Sequence, residues 1–177
     1  MNPFNEDNLV EQTVIKLIKE VWADPICHID AYSEENDLSL GRENQGEVVL
    51  KKRLIPALQK LNPFLQTDAL LQAVDTITRD RSNLSLVKAN QEVYKLLRDG
   101  VNVNVIKENG ETTTECVRFF DFDKVENNDF LAVSQLWIVG ERYTRRPDVI
   151  LFVNGIPLVL LELKAAHKSL VDAHRDN

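Results

Sequence analysis

Apolar side chains recur at helical spacing through residues 1–100 and change to strand-like runs over residues 101–164. Val10, Val14, Leu17, Ile18 and Val21 predict an amphipathic helix over residues 7–22. Residues 25–41 are polar and broken by Pro25, Ser33, Asn36, Ser39 and Gly41, and read as a loop with room for short structure. Leu50, Leu54, Leu58 and Leu61 share a stripe, predicting a helix from Glu43 to Leu61 that Pro56 kinks or restarts and Asn62-Pro63 stops. Thr67 is the expected N-cap of a third helix carrying Leu70, Leu71, Val74 and Ile77. A fourth spans residues 83–98 with Leu86, Tyr94 and Leu97, and Gly100 ends it.

Beyond Gly100 the period falls to two. Val101, Val103 and Val105 alternate with Asn102 and Asn104, Asn109-Gly110 turns the chain, and Thr112 to Phe122 reads as the partner strand. Phe130 to Val139 reads as one further strand. Next comes a hairpin: Val149 to Val153, Asn154-Gly155, then Pro157 to Lys164. Both of its apolar runs suit strands covered on both faces. Ser169 to Asn177 read as the opening of another helix. The expected class is α+β, an α/β sandwich with a helical N-terminal half and a mostly antiparallel sheet. Residues 1–177 are expected to form a single domain, 1–100 mainly helical, 101–164 mainly sheet, and 165–177 the start of a helix in a larger subunit.

The hairpin carries the candidate chemistry. Asp148 lies at its entrance, and Glu162 and Lys164 lie at its exit. Two positions apart on a strand, Glu162 and Lys164 share one face. With a regular two-residue turn, Asp148 would oppose Leu161 and face away from Glu162. One β-bulge or an odd loop sets it opposite Glu162, so an irregularity is expected between Asn154 and Pro157. Two carboxylates can hold a hard cation through oxygen, and an ammonium beside them can offset charge growing on a phosphate. The competing reading is an ordinary buried ion pair closing a sheet end. Three charges in so apolar a stretch are costly to bury without a purpose, which favours a site.

Composition bounds the partners. The net charge of −7 argues against a stand-alone DNA binder. Either the acid lies away from the site, or other parts of a larger protein hold the DNA. Cys27 and Cys116 form no metal or disulfide pattern, as in a reducing cytoplasm, and no apolar run is long enough for a membrane. Arg145 and Arg146 are DNA-phosphate contacts or a solvated strand-edge pair. Asp121 and Asp123 join a metal site or cap a turn. Gln135 sits mid-strand as a residue that could line the cleft. Trp22 and Trp137 read as core anchors.

The run from Arg145 to Lys164 closely resembles the nuclease core of the restriction (R) subunit of type I restriction-modification enzymes. Upstream, Leu61-Asn62-Pro63, Leu97-Arg98-Asp99-Gly100-Val101, Phe120-Asp121-Phe122, Asn127-Asn128-Asp129-Phe130 and Gln135 agree with it. The resemblance implies an N-terminal endonuclease domain of the PD-(D/E)xK superfamily, acting on unmodified duplex DNA. It implies that Asp148 and Glu162 bind Mg2+, aided by the backbone carbonyl of Leu163, and that Lys164 orients water or stabilises the phosphate. The superfamily often adds a helix carboxylate; Glu11 is the candidate, ahead of Glu20 and Glu6, with a solvated helix glutamate as its alternative. No Gln-x-x-x-Tyr pair follows the lysine strand, although Asn177 lies at about the glutamine's distance. ATP is implied only for a motor region, whose Gly-x-x-x-x-Gly-Lys-Ser/Thr loop this sequence lacks. Methyltransferase and specificity subunits are the implied partners. A non-catalytic docking module, or a nuclease of another restriction or repair system, are the alternatives.

Overall fold

β4 (Phe130–Ser134) and β7 (Val149–Val153) are apolar at nearly every position, and this is why they lie at the centre of a sheet. The computed structural model describes residues 6–21, 26–32, 39–107, 110–140 and 143–163. Among these, β1 (Cys27–Asp30), β4, β7 and β8 (Ile156–Leu161) form one four-stranded sheet in the order β1-β4-β7-β8. The β4–β7 and β7–β8 pairings are antiparallel, and β1 runs parallel to β4. The α+β class holds. The mostly antiparallel sheet gains one parallel edge strand, β1, from the stretch read as a loop with room for short structure. Cys-His-Ile-Asp is too short and too polar to announce a strand, and only its parallel pairing makes it one.

The chain divides into two compact units, Met1–Leu50 with Phe130–Asn177, and Lys51–Asp129. In the first, the sheet packs on both faces. Ala31, Leu40, Leu50, Leu131, Val133, Leu136, Ile150 and Phe152 form one cluster. Ile15, Ile26, Ala132, Val149 and Leu151 form the other, with Ile18, Phe130, Leu161 and Leu163 against it. Ile15 and Ile18 come from α1 (Glu6–Val21), which matches the predicted helix. Its buried stripe is rotated from the expected one, however. Glu11 and Ile15 are buried, whereas Leu17 and Val21 are 51% and 74% exposed.

Helix α2 begins at Lys51 and runs unbroken through Pro56 to Leu61, so it is shorter at its start than predicted. The segment before it spends its backbone groups in turns. Asn44 Oδ1 accepts from Gly46 N, Glu47 Oε2 accepts from Glu43 N, and Arg42 donates to the carbonyls of Gln45, Glu47 and Trp137. Leu50 N donates to Gly155 O instead of joining a helix.

The second unit holds α2, α3 (Thr67–Thr78), α4 (Leu86–Asp99) and the hairpin of β2 (Val101–Ile106) and β3 (Thr112–Val117). Its core includes Leu54, Leu58, Leu70, Val74, Ile77, Val103 and Phe119. Gln66, not Thr67, is the N-cap of α3. Ser85 caps α4, which buries none of its residues; Leu86 is 89% exposed. Gly100 ends α4 at φ +85°, where an added Cβ would meet Cys116 Sγ at 2.6 Å and Val117 O at 2.8 Å. β3 stops at Val117, short of the predicted Phe122. There Asn62 takes over the backbone: Arg118 N donates to Oδ1 and Nδ2 donates to Arg118 O, both at 2.9 Å. Among the described residues, no helix is long and apolar enough to cross a membrane.

Candidate functional site

The predicted long strand over Phe130–Val139 breaks at Gln135, and the break builds the site. Gln135 adopts φ +56°, a left-handed conformation costing a non-glycine residue roughly 1–3 kcal/mol. β4 therefore ends at Ser134, and the chain resumes as β5 (Ile138–Val139), which pairs with β6 (Thr144–Arg145) outside the main sheet. Gln135 N donates to the Asp148 carbonyl at 3.0 Å, tying this turn to the start of β7.

The hairpin irregularity exists, one pair beyond its expected place. Asn154 and Gly155, at φ +52° and +78°, form a two-residue turn in the left-handed geometry that suits a twisted hairpin. Val153 pairs with Ile156 and Phe152 with Pro157. The register then shifts between Phe152 and Leu151, so that Leu151 pairs with Val159 and Leu158 has no partner across the ladder. Val149 faces Leu161. One further step sets Asp148 opposite Glu162, as the shared site requires. The expectation of strands covered on both faces holds for β7 only; Leu158, Val159 and Leu160 of β8 are 47%, 44% and 57% exposed.

Half-buried Asp148 is held at both carboxylate oxygens. Oδ2 accepts from Leu163 N at 2.6 Å, and Oδ1 lies 3.5 Å from Gln135 Nε2. The same Nε2 donates to Glu11 Oε2 at 2.6 Å. Glu11 is only 8% exposed, so the α1 glutamate is no solvated side chain. Burial raises its carboxyl above the ordinary value, and the nearby carboxylates of Asp30 and Asp148 push the same way; donors from Gln135 and Ser134 oppose them. Ser134 is fully buried. Its hydroxyl hydrogen-bonds Glu11 and lies 3.0 Å from His28 Nε2. Burial, and then Lys19, lowers the His28 pKa, against the opposing pull of Asp30.

The donor set suits a hard divalent cation. It consists of carboxylate oxygens from Glu11 on α1 and from Asp148 just ahead of β7, with like charges crowded at a cost that a cation would relieve. Among the described residues, no group of three or more histidine, cysteine, aspartate or glutamate side chains has metal-holding geometry. Glu162 is exposed, one step past the end of β8, and Lys164 lies outside the described residues. The contact found at Leu163 is made by its amide.

The two arginines turn to aromatic partners. The Arg146 guanidinium lies 4.9 Å from the Trp137 ring centroid and 5.3 Å from that of Tyr32; Arg145 lies 5.5 Å from that of Tyr143. Trp137, read as a core anchor, is half-buried and serves this stack, and Trp22 lies outside the described residues. Asp121 is a turn cap: its carboxylate accepts from Asn127 Nδ2, Lys124 N and Asp123 N, which lowers its pKa. Sequence reasoning missed Ser134, His28 and Asp30 and did not foresee the Gln135 bridge. The polar pair Ser134-Gln135 inside an apolar run was the available signal.

A family model for the N terminus of the type I restriction enzyme R protein matches residues 3–176. The type I restriction enzyme HindI endonuclease subunit of Haemophilus influenzae is 38% identical over 164 residues, covering 90% of this chain and 15% of that protein. The putative type I restriction enzyme MjaIXP endonuclease subunit of Methanocaldococcus jannaschii is 31% identical over 179 residues, covering 98% of this chain and 16% of that protein. The chain thus spans about a sixth of the length of these relatives, within a region that the family model matches almost from end to end. It belongs to the family of type I restriction enzyme R protein N termini.

Proposed function

We propose that this chain is the magnesium-dependent endonuclease domain of a type I restriction enzyme R subunit, hydrolysing phosphodiester bonds of unmodified duplex DNA. The observation that carries the reading is the Leu163 amide locked onto Asp148, directly ahead of Lys164, with buried Glu11 joined to the same cluster through Gln135. Asp148 and Glu162 would hold the cation through carboxylate oxygens, with the Leu163 carbonyl and Glu11 as further donors. Bound magnesium supplies a polarised phosphate and a more acidic water. Lys164 would offset negative charge building on the phosphate or orient the attacking water. Arg145 and Arg146 contact neighbouring phosphates.

In this reading an ATP-driven motor and the methyltransferase and specificity subunits, together in the cytoplasm, choose the DNA and deliver it. The test is cleavage of an unmodified plasmid by the assembled enzyme after Lys164→Ala or Asp148→Ala. Lost cutting with translocation and assembly intact is the expected result, and it also separates this reading from a docking role. Full cutting by either variant would overturn it.

A further inference from the structure

Gln135 is the residue through which the two buried-side carboxylates meet. Its Nε2 reaches Glu11 Oε2 at 2.6 Å and Asp148 Oδ1 at 3.5 Å, and its backbone N–H donates to the Asp148 carbonyl at 3.0 Å. One residue therefore joins a helix glutamate to the aspartate just ahead of β7 by three contacts. A primary amide offers two N–H groups and no charge, which lets it face two carboxylates at once. A backbone at φ +56° is unfavourable for glutamine, and asparagine or glycine would adopt it at less cost. The strain thus goes with a side chain whose length spans the gap. Without that clip, two like charges on different elements would drift apart unless a cation held them.

We propose that Gln135 is a positioning residue that sets the spacing of Glu11 and Asp148 for a single divalent cation. The proposal rests on the reading of those two carboxylates as cation donors. Its own content is that the spacing is built before the cation arrives. Gln135 touches neither the cation nor DNA, and acts only through the carboxylates it holds.

The experiment measures Mn2+ binding by calorimetry in the full-length R subunit, together with the Mg2+ concentration giving half-maximal plasmid cleavage by the complete enzyme. Gln135→Gly removes the amide and relaxes the backbone, so its melting temperature should hold or rise while Mn2+ affinity falls by roughly 10–100-fold, the scale for losing a group that orients a ligand. The Mg2+ requirement should rise by a similar factor. Gln135→Asn, which keeps the amide on a shorter arm, should recover part of the loss. Gln135→Met keeps the length without the donors and serves if the glycine variant fails to fold; its affinity should fall likewise. Unchanged Mn2+ affinity in the variant that folds overturns the proposal. So does a loss of affinity that tracks a lowered melting temperature and that asparagine does not mend. A wild-type subunit that binds no Mn2+ overturns the underlying reading of the site, and this inference with it.

Discussion

The Asp148 carboxylate accepts a hydrogen bond from the Leu163 amide at 2.6 Å, so the chain just ahead of Lys164 is anchored to the first acid of the site. Asp148→Ala removes both a cation donor and this anchor. Cleavage by the complete enzyme should fall by roughly 10²–10³-fold, the scale for losing one group that stabilises transition-state charge. Folding stability should fall by only about 1 kcal/mol, since the bond lies partly in solvent. Cleavage kinetics beside urea denaturation measure both, and a large stability loss with cleavage retained would reverse the assignment.

Glu11 makes the metal-free protein less stable as the pH rises. Folding raises its carboxyl above the ordinary 4.5, chiefly by burial. Between the ordinary and the raised value the native chain binds more protons than the unfolded one. The stabilising contribution is complete below 4.5 and is lost as pH climbs through the raised value. Glu11→Gln should therefore melt above wild type in EDTA near neutral pH, and the gap should close in acid. Magnesium should stabilise wild type in turn, by about 2.7 kcal/mol at a hundredfold excess over Kd. Identical melting profiles for the two proteins across this range would contradict the burial of a charged Glu11.

Arg146, stacked between Tyr32 and Trp137, should bind phosphate without reading sequence. Arg146→Ala in the full-length subunit should weaken duplex binding evenly across sequences and reduce the salt slope by about one. Arg146→Lys keeps the charge but loses the planar stack, and should fall between the two. Anisotropy titrations over a range of salt without Mg2+ report this. A salt slope that stays the same in the alanine variant would return Arg146 to a role confined to its aromatic neighbours.

Asn62 stabilises the helical unit. Its side chain donates to Leu58 O and Arg118 O and accepts from Arg118 N, while the residue is 8% exposed. Asn62→Ala leaves buried backbone groups without partners and should cost about 2–3 kcal/mol. Chemical denaturation gives the value, and a change within about 0.5 kcal/mol, typical of a surface site, would refute it.

Asn62 and Gly100 also show what the upstream resemblance consists of. Leu61-Asn62-Pro63 brackets the end of β3, Gly100 makes a turn that no side chain fits, and Asp121 and Asn128 knit one loop through Asp121 N and Asn128 Oδ1. These motifs are marks of a shared architecture, whereas the chemistry-bearing residues cluster on the other unit. Local pattern announced α1, the end of α4 at Gly100 and the β2–β3 hairpin with its alternation in β2, because each depends on neighbours within a turn or a pleat. It overran at Glu43–Leu50, where turns built by Arg42, Asn44 and Glu47 and the distant Gly155 carbonyl take the backbone groups, and at Val117–Phe122, where the distant Asn62 side chain does.

The primary structure by itself determined that Asp148 and Glu162 flank an apolar hairpin, and that some irregularity must bring them to the same side, since side chains on a strand alternate. Only the tertiary structure decided that the extra residue is Leu158, that Glu11 turns inward with Ile15, and that Gln135 breaks β4 to bridge two acids. The bulge depends on how β7 and β8 pair, and the inward turn of Glu11 on a contact with Gln135, 124 positions away; no local periodicity encodes either.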